Sequence, residues 1–167
     1  MKRVFLGIGS NLGKREKNIR EAVEKIMEFI GPVINSSSLY ETEPWGFRSE
    51  NEFLNMVVEV DTNLKPSGLL GRLLIIESLL GRTRGENKYT SRLIDIDILL
   101  YNNKVMDNKV LVIPHPLMHE RNFVLIPLCE IAPDMIHPVM KKTISELLKD
   151  CPDKSKIRLH DPKTPRL

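Results

Sequence analysis

The sequence is short of several things at once. Only 5% of its 167 residues are aromatic, two are cysteine, and no apolar run approaches the roughly 18 residues of a membrane span. The missing span argues against a membrane partner. The apolar part of Met1–Leu6 is too brief for a secretory signal, so a soluble cytoplasmic protein is expected. Cys129 and Cys151 have no metal-ligand spacing and are expected as free thiols in a reducing compartment. An excess of one charge is also lacking. The net charge is +3, but residues 154–167 hold five basic side chains and one acid, which leaves the body at −1. A nucleic-acid surface is therefore not indicated.

The length suits one domain with a real core, without repeat or linker. We expect a single domain over residues 1–153. Residues 154–167, basic, poor in apolar side chains and containing two prolines, are expected as a disordered tail.

The periodicities come in a regular order. Residues 3–8 form an apolar strand that runs into Gly9-Ser10-Asn11-Leu12-Gly13-Lys14. This is not a phosphate-binding Walker loop, because Arg15 stands where Ser or Thr is required. It reads as a tight strand-to-helix turn. Ile19, Ala22, Val23, Ile26, Met27 and Ile30 mark one face of a helix that Gly31-Pro32 ends. Val33–Thr42 is a serine-rich extended segment, and Glu43–Glu52 is a loop that groups Trp45 with Phe47. In a chain this poor in aromatics, that grouping suggests either anchoring or a flat ligand.

Phe53–Val60 alternates, with Leu54, Met56, Val58 and Val60 on one face and Phe53, Asn55, Val57 and Glu59 on the other. Pro66 opens a second helix that stops at Gly81. Glu77 lies on its apolar stripe and is expected at a solvated rim or as a ligand. After a strand near residue 95, Tyr101–Asn108 reads as a hairpin with Asn102-Asn103 at its tip. Arg121–Ile131 reads as a helix carrying Pro127, and Thr143–Glu146 as a capping box. His115 and His119 stand four apart, but Pro116 opposes a helix through both and no third zinc ligand is evident.

The chemistry is concentrated between Arg82 and Leu100. Ile94, Ile96, Ile98 and Leu100 share one face of an extended segment, and Asp95 and Asp97 share the other, about 7 Å apart at a rise of roughly 3.3 Å per residue. Two carboxylates so close repel unless a cation joins them, and Mg²⁺ is held by one or two carboxylates plus substrate phosphates. Arg82, Arg84 and Arg92 lie just upstream, and guanidinium forks match phosphate oxygens. Each feature alone also describes a solvated strand face or a solvated loop. Together they are the inventory for phosphoryl transfer.

Arg92-x-x-Asp95-x-Asp97 with its apolar continuation resembles the core motif of the 6-hydroxymethyl-7,8-dihydropterin pyrophosphokinases of folate synthesis. Gly9–Gly13, Phe53-Leu54-Asn55, Pro114-His115-Pro116 and Arg121-Asn122-Phe123 fit the same family in the same order, over about residues 1–150. One departure is Tyr89-Thr90-Ser91 before Arg92, where the family usually writes Trp-Gly-Pro.

The order strand, helix, strand, strand, helix, strand predicts an α+β, ferredoxin-like βαββαβ antiparallel sheet. Both helices would lie on one face, with extra elements at the C-terminal end. The resemblance implies transfer of pyrophosphate from ATP to the hydroxymethyl group of a reduced pterin by a monomer, with release of AMP. It implies two Mg²⁺ on Asp95 and Asp97, with Arg82, Arg84 and Arg92 as catalytic residues. ATP would meet Leu70, Glu77, Arg84, Arg92, the Ile98 backbone, His115 and Arg121. The pterin would stack between Phe53 and Phe123, near Thr42, Pro44, Trp45 and Asn55. The loop from Arg82 to Ser91 would close over both substrates. Another Asp-x-Asp nucleotidyl- or glycosyltransferase, or a non-catalytic RNA-binding module on the same fold, are the rival readings. The second lacks the RNP1 pattern.

Overall fold

The alternating stretches become strands and the 3.6-period stretches become helices, in a computed structural model that describes residues 1–82 and 92–161. In chain order they are β1 (Lys2–Ser10), α1 (Arg15–Phe29), β2 (Val33–Ser36), β3 (Tyr40–Thr42), β4 (Phe53–Thr62), α2 (Pro66–Leu79) and β5 (Asp95–Tyr101). They continue as β6 (Met106–Asp107), β7 (Val112–Ile113), α3 (Asn122–Ile131), α4 (Ile144–Asp150) and β8 (Ile157–Leu159). The main sheet runs β5-β1-β4-β3-β8, with β2 also beside β4, and its pairings are antiparallel.

The segment Val33–Thr42 is two strands rather than one. Between them Ser37 keeps the ladder closed. Its N–H donates to the Val57 carbonyl at 2.9 Å, and its hydroxyl accepts from the Val57 N–H at 2.9 Å.

One face of the sheet buries Val4, Leu6 and Ile8 of β1, Leu54, Met56, Val58 and Val60 of β4, and Ile96 and Ile98 of β5. Ile19, Ala22 and Ile26 of α1 and Leu69, Leu73 and Ile76 of α2 cover it. This is the alternation expected of β4 and most of the helical stripe expected of α1, although Met27 of that stripe is exposed. Pro66 opens α2, where a missing N–H costs no intrahelical bond.

The opposite face is not left bare, as the sequence suggests. Phe5, Val57, Leu99 and Leu100 lie under Val124, Leu125 and Leu128 of α3 and Ile144 and Leu147 of α4. The helices therefore flank both faces. Leu100 was expected beside Ile94, Ile96 and Ile98, and the correction has a local cause. The register slips where Phe5 pairs with Leu100 and Leu6 with Ile98, leaving Leu99 as an extra residue. A bulge of this kind turns the residues after it to the other face. The end of this face nearest Asn55 and Asp95 opens on a cleft.

Two further expectations change. Asn102 takes a left-handed turn (φ 46°) where β5 leaves the sheet, and the hairpin proper is β6 with β7. The segment expected as a structureless tail contains β8, in which Ile157, Arg158 and Leu159 pair with Thr42, Glu41 and Tyr40. Apolar content was a poor guide there, because backbone pairing at the open edge of β3 and ion pairs hold the strand. The capping box forms as read, with the Thr143 N–H donating to Glu146 at 2.7 Å. Among the described residues, no helix is long and apolar enough to cross a membrane.

Candidate active site

The open end of the second sheet face is a cleft of about 290 Å³. Its floor follows from strand register. Gly9 of β1 pairs with Asn55 of β4 on one side and with Asp95 of β5 on the other, and Gly7 pairs with Val57 and Asp97. Directly paired residues share a face, so two glycines separate an amide-bearing strand from a carboxylate-bearing one. They leave the space between bare. A Cβ on Gly9 would lie 2.6 Å from the Asn55 Oδ1.

On the β5 side the groups are charged. Arg82 ends α2's approach, and its Nη1 donates to Glu77 at 2.6 Å and to Asp95 at 2.7 Å. Arg92 Nη1 lies 3.0 Å from the other oxygen of Asp95. Glu77 is buried rather than at a rim, since its carboxylate also accepts the Ile96 N–H at 2.8 Å and so ties α2 to β5. Among the described residues Asp97 has no such close cation. His115 Nε2 is 3.9 Å away, while the His115 Nδ1 accepts the Leu117 N–H at 3.1 Å. Burial, reinforced by the Asp95 charge, pushes the Asp97 carboxyl up to about 7, although Arg121 and Arg92 oppose the shift. Its side chain still keeps 39% exposure, because the cleft is open above it.

The turn after β1 positions this half. Asn11 Oδ1 accepts the Arg92 N–H at 2.7 Å, the Asn11 N–H donates to the Arg92 carbonyl at 3.1 Å, and Ser10 donates to Leu93. Gly13, at φ 65°, lets the chain swing into α1. The glycine stretch thus works as a turn, and its polar side chains hold the entry to β5.

On the β4 side the groups are neutral and flat. Asn55 Nδ2 donates to the Thr42 hydroxyl at 2.6 Å, with both residues buried. Phe47 meets Phe53 edge-on at 6.0 Å between centroids. Arg121 lies over the Trp45 ring at 4.5 Å and over Phe123 at 5.7 Å, stacked at the seam between the two halves. Its Nε is buried without a hydrogen-bond partner among the described residues.

The donor set suits a hard cation. Two carboxylates face one cleft, one of them destabilised by the other's charge. That matches an ion that draws its remaining ligands from substrate oxygens and water.

The family model described as 7,8-dihydro-6-hydroxymethylpterin-pyrophosphokinase matches residues 5–133. The chain belongs to this family. It is 42% identical over 146 residues to the 2-amino-4-hydroxy-6-hydroxymethyldihydropteridine pyrophosphokinase of Aquifex aeolicus, covering 87% of this chain and 90% of that one. It is 43% identical over 149 residues to the enzyme of the same name from Methylorubrum extorquens, covering 89% and 92%. Among solved structures, wild-type HPPK-DHPS of Plasmodium falciparum superposes with a TM-score of 0.73 at 18% identity. That match covers 89% of this chain but only 44% of the other, and bears on the fold alone.

Against the residues expected of a pyrophosphokinase of this family, the cleft gathers eleven. Thr42, Trp45, Phe53, Asn55 and Phe123 line one half, and Arg82, Arg92, Asp95, Asp97, His115 and Arg121 the other or the seam. Pro44, Leu70, Glu77 and Ile98 are not in the lining. Leu70 packs against the α1/α2 core, the Ile98 side chain points into that core, and Glu77 is sealed beneath Arg82. Arg84 and the rest of the loop through Ser91 lie outside the described residues. Sequence reasoning missed Gly7 and Gly9 as floor, and also Glu43, Pro116, Leu117 and Val124. The signal for the glycines was available: they alternate with the core residues Leu6 and Ile8, and a strand glycine often marks a close approach. Phe47 was noticed with Trp45 but not assigned to the site.

Proposed function

We propose that this chain transfers the terminal pyrophosphoryl group of ATP to the hydroxymethyl oxygen of 6-hydroxymethyl-7,8-dihydropterin and releases AMP. The observation that carries this reading is the register across Asn55–Gly9–Asp95 and Val57–Gly7–Asp97. It sets a flat, amide-reading half and a carboxylate half side by side, about two strand spacings of roughly 4.8 Å apart. An alcohol carried by a planar ring on β4 would thus lie beside a polyphosphate held over β5.

Asp95 and Asp97 would hold Mg²⁺, two ions on this reading. Magnesium bound there would offset the triphosphate charge and favour attack at phosphorus. Arg82, Arg92, Arg121 and His115, together with Arg84, would bind phosphate oxygens and stabilise the charge that moves onto the leaving AMP. Phe53 and Phe123, with Trp45 beside them, would enclose the pterin plane, and Asn55 with Thr42 would read its amide edge. In the transfer, the hydroxymethyl oxygen bonds to the β-phosphorus, the bond from that phosphorus to the α-phosphate oxygen breaks, and the alcohol proton passes to solvent. Leu70, Glu77 and the Ile98 backbone would lie near the adenine and ribose, outside the lining of the cleft described above, and Pro44 would meet the pterin from its loop.

The order β5-β1-β4-β3 with α1 and α2 on one face supports a ferredoxin-like βαββαβ assignment, extended by α3, α4 and β8. We read the chain as a monomer of the cytoplasm, which size-exclusion and cell-fractionation experiments test. The activity is tested by incubating the protein with ATP, Mg²⁺ and hydroxymethyldihydropterin. AMP and a pyrophosphorylated pterin are expected in equal amounts. ADP, or AMP formed without the pterin, would sink the reading in favour of another transferase.

A further inference from the structure

The loop from Glu43 to Asn51 brings Glu43, Trp45 and Phe47 to the cleft without regular structure of its own. It is flanked by two carboxylates, Glu41 at its start and Glu52 at its end. Like charges at the two ends of a loop push it open unless a cation lies between them. Arg158 of β8 supplies one. Its Nη2 is 2.6 Å from Glu41 and 2.5 Å from Glu52, and its Nη1 is 3.2 Å from the second oxygen of Glu52. A fork held this way by two carboxylates fixes orientation as well as charge.

The surroundings reinforce the clasp. Arg15 of α1 reaches the Glu52 carbonyl at 2.6 Å and Glu41 at 3.2 Å. His160, just after β8, lies 2.9 Å from Glu41 by Nδ1 and also meets Glu16, while its N–H bonds the Leu39 carbonyl at 2.9 Å. β8 pairs with the strand that carries Thr42, the partner of Asn55. Of these groups β8, Arg158 and His160 lie beyond residue 133, where the match to the family model stops, and their carboxylate partners lie within it.

We propose that β8 is a strap and that Arg158 is a positioning residue for the pterin half of the site. By tying Glu41 to Glu52, it holds the loop so that Trp45 and Phe47 already face the cleft before substrate arrives. Ordering a loop in advance removes an entropic cost from binding, so the benefit falls on the substrate the loop touches. The inference rests on the pyrophosphokinase reading for its substrate but not for its loop.

The test uses the full chain and the variants Arg158→Ala, Arg158→Lys and Glu52→Gln, none of which alters a cleft residue. The chain has a single tryptophan, Trp45, so its fluorescence anisotropy reports this loop alone. In Arg158→Ala the anisotropy without substrates should fall, and KM for the pterin should rise about threefold to fivefold, the upper part of what exposed ion pairs contribute. KM for ATP and kcat should stay within about twofold, since neither depends on this loop. Arg158→Lys should recover part of the loss. Glu52→Gln, which leaves β8 pairing intact, should show a smaller change in the same direction and decides the matter if Arg158→Ala folds poorly. An unchanged pterin KM with unchanged Trp45 anisotropy overturns the proposal, as does an equal rise in both KM values. If the wild type forms no AMP, the pyrophosphokinase reading fails, while the anisotropy comparison still decides whether β8 holds the loop.

Discussion

The two halves of the cleft are built on opposite principles. On the β5 side charged groups are paired to one another, and the pairing is incomplete. Among the described residues Arg82 is shared between Glu77 and Asp95, Arg92 also goes to Asp95, and Asp97 is left with a histidine at 3.9 Å. On the β4 side the buried polar pair is neutral and matched, Asn55 to Thr42 at 2.6 Å, and the rest is mainly aromatic surface, with Glu43 of the neighbouring loop as the one carboxylate among the described lining residues there. The first half is finished only by charge from outside, and the second only by a flat body. On the reading proposed above, the polyphosphate of one substrate completes the first and the planar ring of the other completes the second.

Removing charge from β5 should have the largest effect. Asp95→Asn and Asp97→Asn should each lower turnover by roughly a hundredfold or more, beyond the 10–100-fold typical of losing a mere supporting partner of a metal ligand. The fold should survive, because neither side chain belongs to either core cluster. Near-normal rates at limiting Mg²⁺ in either variant would end the metal assignment. Arg82→Ala comes next. Loss of a donor aimed at developing charge costs roughly 10²–10³ in rate. In this structure Arg82 also neutralises buried Glu77, so some loss of thermal stability should accompany it. Single-turnover rates set beside binding of a non-hydrolysable ATP analogue give the decisive contrast. Equal losses in both would make Arg82 a ground-state clamp rather than a transition-state donor.

The β4 half should respond more weakly and to one substrate only. Asn55→Leu keeps the volume but removes the amide, leaving the Thr42 hydroxyl and the pterin edge unpaired at about 1–3 kcal/mol. Pterin affinity should fall about tenfold, with ATP affinity nearly constant. Gly9→Ala offers an independent route to the same result, because its Cβ would enter at 2.6 Å from the Asn55 Oδ1 and displace that side chain. Calorimetric titration with each ligand distinguishes the cases. If Gly9→Ala weakens ATP as much as pterin, the glycine track serves both halves and the two halves do not divide the substrates between them.

The sequence revealed these halves unequally, for physical reasons. Asp95 and Asp97 alternate with apolar residues, so strand periodicity alone put them on one face, and Leu54–Val60 was legible in the same way. The bulge that turns Leu100 across the sheet involves two adjacent leucines, Leu99 and Leu100, and either could have faced the core. The burial of Glu77 could not be read from α2, because its partners, Arg82 and the Ile96 N–H, arrive from outside the helix. β8 escaped notice because its stability resides in backbone pairing and in the contacts of Arg158 with Glu41 and Glu52, each more than a hundred positions away from it. Periodicity reports what a segment buries, and β8 buries little.

The smallest expected effect concerns stability, and it asks whether the β5 half is strained without its ligand. The Asp97 carboxyl is held up to about 7, by burial first and by Asp95 second, against an ordinary 3.8. Between pH of about 4 and 7 the folded protein therefore keeps a proton that the unfolded chain has released. Stability must fall as pH rises through that window, and the loss is complete above it. Asp97→Asn carries no charge and escapes the decline. Because the carboxylate is still partly open to the cleft, the effect should be modest: at pH 8 without Mg²⁺ the variant should melt roughly 2–4 °C above the wild type, what about 1 kcal/mol is worth in a chain of this size. At pH 4 the two curves should meet. Adding Mg²⁺ at pH 8 should raise the wild type alone, since it supplies the missing charge to a pair the variant no longer has. Melting curves collected from pH 4 to 8, with and without the metal, check all three. Parallel curves for the two proteins would mean that solvent in the open cleft already relieves Asp97. The incompleteness of the β5 half would then lie in geometry, not in charge.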